Sequence, residues 1–140
     1  MSGIKLPNEG APGPADGRRG ESTVTALTRD VILVVSRGRQ LARYADEFLA
    51  KINVELITSA ELHVFHDAEE ITTYEAEWRR RLEAWGRQNV RRCRSWHVLV
   101  VRPMPVMGAN VSNLEYDGFM HIHHARATFD AALAQARAGR

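Results

Sequence analysis

Residues 31–35 read Val-Ile-Leu-Val-Val, an unbroken apolar and mostly β-branched run. It is far too short to span a bilayer, and its branched side chains favour a strand over a helix. A strand apolar on both faces must be covered on both, so the chain is confined to layered folds in which helices pack on a sheet. Val24 to Leu27 precedes the run and is weakly strand-like, with Arg29-Asp30 between them at hairpin-turn length. Gly38 stands just beyond the run and is able to supply an unusual backbone angle there.

The remaining segments alternate between the two periodicities. Leu41, Ala45, Phe48, Leu49 and Ile52 lie on one face of a helix predicted over residues 40–53. Leu62-His63-Val64-Phe65-His66 reads as a short strand, with Leu62, Val64 and His66 on one face and His63 and Phe65 on the other. The stretch from Asp67 to Thr73 reads as an acidic loop, and Thr73 as the N-cap of a long helix reaching Cys93. Tyr74, Trp78, Leu82, Trp85 and Asn89 form the inward face of that helix. Residues 96–101 form the next strand, 106–114 a short helix, 119–123 a last strand and 126–138 a last helix. Strands alternating with helices after a hairpin imply an α/β fold: a mixed, mainly parallel sheet of about five strands with four helices.

At 140 residues the chain suits one domain, and 44% apolar with 26% charged residues supports an ordinary core. We read residues 22–140 as that domain. The first twenty positions hold eight Gly or Pro, so residues 1–21 read as a flexible tail. One cysteine, Cys93, excludes a disulfide framework and a cysteine-rich zinc module. No signal-peptide stretch or membrane span is visible, which points to the cytoplasm without membrane insertion. The formal charge of +2 hides an uneven distribution: residues 1–73 carry eleven acidic and eight basic residues. Residues 74–94 carry seven arginines against three glutamates.

No nucleophile elbow, phosphate loop or paired-carboxylate signature is present, so no catalytic residue is assigned and no enzyme activity is read. His121 and His123 share a strand face, which suits two metal ligands. Zinc needs a third, and no spacing signature supplies one, so neither a metal nor a cofactor is assigned. The arginine helix carries the charge that phosphates attract, but Arg79 to Arg81 fan around about 200° of the helix. Nucleic acid therefore ranks below a protein partner. Cys93 reads as buried and inert.

Val31-Ile32-Leu33-Val34-Val35-Ser36-Arg37-Gly38-Arg39, His63-Val64-Phe65-His66-Asp67, Trp96-His97-Val98-Leu99-Val100-Val101 and Met107 to Leu114 together resemble the STAS domain, in its divergent SpoIIAA-like group. The resemblance covers about residues 22–138. It implies a STAS-like module that works through protein partners. Typical members are switched by phosphorylation in the loop after the second parallel strand, at Asp-Ser-Ser/Thr-Gly. Here Asp67 matches, the adjacent Ser and the Gly are missing, and Thr72 and Thr73 are the nearby phosphate acceptors. We therefore read Asp67, Glu69, Glu70, Thr72, Thr73, Arg79, Arg80 and Arg87 as a partner-binding surface, acidic loop beside basic helix. The partner is an unidentified protein, and a homo-oligomer is compatible with this reading. The alternatives are a nucleotide or lipid carrier, with a pocket near Met104, Val106 and Met107, and nucleic-acid binding through the arginines.

Overall fold

The computed structural model describes residues 20–101 and 120–139. The first nineteen residues of the predicted tail, the helix predicted over 106–114 and the Met104–Met107 pocket lie outside the described residues. Strands β1 (Glu21–Thr28) and β2 (Val31–Gln40) form the expected hairpin. Helix α1 (Ala42–Thr58), β3 (His63–Tyr74), α2 (Ala76–Asn89), a 3-10 turn (Val90–Arg92), β4 (Ser95–Leu99), β5 (Met120–His123) and α3 (Arg126–Arg137) follow. The sheet order is β1-β2-β3-β4-β5; β1 is antiparallel to β2 and every later pairing is parallel.

Strand alternation divides the apolar residues into two cores. Ile32, Val34, Val64, Trp96 and Val98 face α1 and α2, where Phe48, Ile52, Trp78 and Trp85 meet them. Val31, Phe65 and Leu99 face the other side and pack on Phe129 of α3. The predicted facing of residues 62–66 holds: Leu62 and Val64 join the first core, Phe65 the second. Helix α1 runs on to Thr58 because Leu56 continues its buried stripe beyond the predicted end.

Residues 67–74 are the main correction. Asp67 to Thr73 is not a loop and Thr73 is not an N-cap: the segment continues β3, and α2 begins at Ala76. The cause is the length of β2, whose residues Arg37 to Gln40 pair with Glu70 to Tyr74. β4 ends opposite Asp67, at Leu99, so residues 68–74 have β2 as their strand neighbour, and past the Glu21–Arg37 pair of β1 the last rungs form a two-stranded overhang. Gly38 sits in this overhang at φ 71°, beside a register shift between Gly38 and Arg39. Its lack of a Cβ is what permits that angle. Glu75, at the end of the overhang, caps α1: its carboxylate accepts from the Ala42 backbone N–H at 2.7 Å, where Leu41 offers no cap.

Candidate functional site

In β3 the acidic residues each meet a cation from another element. Arg126, in the first turn of α3, reaches Asp67 at 2.9 Å and also pairs with Glu69. Glu69 and then Asp67 hold the Arg126 guanidinium even more firmly protonated than usual. Glu70 pairs with Arg37 at 3.3 Å, and Arg37 with Glu21 at 3.4 Å. Thr73 is exposed and accepts a long hydrogen bond from Arg39, 3.5 Å, while Thr72 is half-buried. These acids therefore lie on a rigid strand with their charges largely matched.

The arginines of α2 are matched in the same way. Arg79 pairs with Glu83 (3.1 Å), Arg80 with Glu77 (2.8 Å), and Arg81 with both Glu77 and Asp46 of α1. Hydrogen bonds from Arg80 and then Arg81 hold the Glu77 carboxyl below its usual range. Glu77, Arg80, Ala84, Arg87 and Gln88 are exposed and form the outer stripe of the helix, opposite buried Trp78 and Trp85. Trp85 Nε1 donates to Asn53 of α1 at 2.8 Å, fixing the two helices against each other.

Under α1 and α2 lies a polar chain that sequence patterning did not reveal. Gln40 donates through its amide to the carbonyls of Glu21 (3.2 Å) and Arg37 (2.8 Å), and its Oε1 accepts from Ser22 (2.9 Å). Ser22, having given its proton, must accept from Ser36 at 2.9 Å. Ser36 must then accept from His66 Nε2–H, also at 2.9 Å. His66 is 2% exposed, and burial pushes its pKa down to about 4, which the nearby Asp67 offsets only in part.

The opposite face of the sheet carries most of the remaining histidines. His97 is stacked between Phe65 (4.3 Å, interplanar 6°) and His121 (4.6 Å, 18°). Its Nδ1 meets His123 Nε2 at 2.9 Å. Burial, with the neighbouring His121, His123 and His63, pushes His97 down to about 3; burial also lowers His123 and His63. His63 bonds Ser95 at 2.6 Å, and His124 donates to the Val100 carbonyl at 3.2 Å. Sequence places His121 and His123 on one face; the parallel register adds His97, and puts His66 on the other side. Among the described residues no three His, Cys, Asp or Glu converge on a metal position. The geometry explains this. The His97 and His123 rings lie 21° apart in plane with centroids at 5.1 Å, so their nitrogens meet head-on and do not aim at a common point. Cys93 is buried, and burial raises its thiol to about 11.

No family model matches this sequence, and no curated protein matches it either. Solved structures do. A protein of the DUF3478 family from Shewanella loihica, described as having a SpoIIAA-like fold, superposes with a TM-score of 0.55 at 8% identity. That match covers 81% of this chain and 93% of the other. The anti-sigma factor antagonist SpoIIAA in its unphosphorylated form superposes with a TM-score of 0.60 at 14% identity, covering 83% of this chain and 97% of that one. The chain thus has a SpoIIAA-like, STAS-type α/β fold, as the sequence resemblance implies. Among the described residues no helix is long and apolar enough to cross a membrane.

Proposed function

We propose that this chain is a non-enzymatic, cytoplasmic STAS-like protein-interaction module with a regulatory or scaffolding role. The observation that carries this reading is the near-complete overlap with the whole length of SpoIIAA, a protein described as an anti-sigma factor antagonist. The surface we assign to the partner is the β3 overhang together with the outer stripe of α2. Glu70, Thr73, Glu77, Arg80 and Arg87 offer both signs of charge on rigid elements. Mixed charge of this kind selects a partner of complementary pattern and speeds its encounter. Asp67, Glu69 and Arg79 support the surface through their ion pairs. Thr72 and Thr73 are the candidate phosphate acceptors of this surface. The internal pairing of Arg79, Arg80 and Arg81 ranks nucleic acid below protein, since a phosphate would have to displace Glu83, Glu77 and Asp46.

The test is affinity capture from native lysate with the wild-type chain and an Arg80→Glu/Arg87→Glu variant of unchanged melting temperature. The reading expects one defined protein bound in stoichiometric amount by the wild type and about tenfold less by the variant. Equal capture by both chains refutes the surface. Steep salt-dependent retention on a DNA or RNA column, or a native mass above the sequence mass, would replace the reading with nucleic-acid binding or ligand carriage. Intact-protein mass spectrometry across growth conditions decides whether Thr72 or Thr73 carries phosphate.

A further inference from the structure

The proton positions on the α3 face of the sheet can be assigned from the hydrogen bonds alone. Thr128 donates its hydroxyl proton to the Ala125 carbonyl at 3.1 Å. It must therefore accept from His123 Nδ1–H, 3.0 Å away. His123 Nε2 is then a bare acceptor, and the partner it meets at 2.9 Å is His97 Nδ1–H. The relay runs His97 to His123 to Thr128 to Ala125, from β4 into the first turn of α3, and it needs one bare nitrogen between the two facing rings.

This relay is one of the few things that hold α3 down. Among the described residues the others are Phe129, edge-on to Phe65 (5.6 Å) and to His123 (5.8 Å), the partly buried Ala132, Leu133 and Ala136, packed on that core with Leu27 and Leu33, and the Arg126 pairs with Asp67 and Glu69. We propose that α3 is an acid-released cover: protonation of the His97–His123 pair undocks it from the sheet while α1 and α2 stay packed, baring Val31, Phe65 and Leu99.

The chemistry runs as follows. One added proton is tolerated, since on His97 Nε2 it leaves Nδ1–H donating to His123 Nε2 as before. A second leaves two N–H groups head-on at a distance that suits only a donor and an acceptor. The histidine and cationic neighbours of the pair sharpen the response. His121 stacks on His97, His63 stands beside it from β3, and His124 follows His123. Above lie the cation Arg126, over the Phe129 ring at 5.9 Å, and the positive end of α3 itself. The opposing charges are Asp67 and Glu69 from β3 and Asp130 from α3, and all three are engaged by Arg126. The His66 chain lies across the sheet and does not touch α3.

Hydrogen exchange with fragment-resolved mass spectrometry, expressed as protection factors, tests the proposal on the full chain. Between about pH 7 and about pH 5, protection of α3 relative to α1 should fall by about tenfold or more. His97→Asn keeps a donor where Nδ1 stood but cannot be protonated, and should hold that ratio within about twofold. A constant ratio in the wild type, or an undiminished fall in His97→Asn, overturns the proposal. Imidazole nitrogen shifts of the wild type near neutral pH give a second measurement that needs no variant. Both rings should carry their proton on Nδ1, and an Nε2–H form of either refutes the relay.

Discussion

The buried chain from His66 to Gln40 makes the stability of this fold depend on pH in a direction and size that can be worked out. In the unfolded chain His66 titrates near 6.5; in the fold burial lowers it to about 4. The folded state therefore binds fewer protons than the unfolded one between those values. Stability is full above about pH 6.5, is lost as pH falls toward 4, and levels off below. One such ring costs about 1.4 kcal/mol per pH unit inside the window, or about 2 kcal/mol between pH 7 and pH 5. Because His66 is 2% exposed, no discount for solvent screening applies. The informative substitution is His66→Gln. A glutamine amide can donate to Ser36 as Nε2–H does, so the polar chain stays satisfied while the titrating group disappears. Urea unfolding of both chains at several pH values gives the result. The wild type should lose about 2 kcal/mol more than His66→Gln on going from pH 7 to pH 5, whatever their difference at pH 7. Parallel profiles would refute the reasoning, since they would mean that His66 is not desolvated in the fold or accepts a proton there without penalty.

Two further outcomes follow from single positions. Gly38→Val places a β-branched residue at φ 71° in a buried strand and should cost at least about 2 kcal/mol in urea unfolding; an unchanged midpoint would show that the overhang relaxes freely. Cys93, with its thiol raised to about 11, should react with a thiol reagent at mildly alkaline pH about a hundredfold or more slower in the native chain than in urea. Comparable rates would show the Cys93 pocket open.

What could be read from sequence was what short-range pattern encodes. Val31 to Val35 announces a central strand by its own composition, and the stripe of Phe48, Leu49 and Ile52 announces α1. The overhang failed to announce itself because Asp67, Glu69 and Glu70 look like loop residues. Their presence in a strand is explained by Arg126 and Arg37, which are remote in sequence. The signal was there in part: Ile71-Thr72-Thr73-Tyr74 has strand composition, and β2 continues through Ser36 to Gln40. The candidate surface on α2 was legible as charge, and Glu77 and Glu83 stand at pairing distance from its arginines in the sequence itself, whereas the Arg81–Asp46 pair was not legible, since Asp46 comes from another helix. The histidine face needed the parallel register: nothing local says that His97 stands beside His121, or that Ser36 meets His66.

The overhang of β2 and β3 also bears on how the proposed surface would meet a partner. A loop before α2 would have to surrender many backbone conformations on contact. Here residues 70–74 are already fastened rung by rung to β2, and Glu75 ties their far end to α1. A visitor finds a shelf in place of a rope. For the partner proposed above, association there would incur little ordering entropy, and the lifetime of the complex would be set by how quickly the fitted surfaces separate.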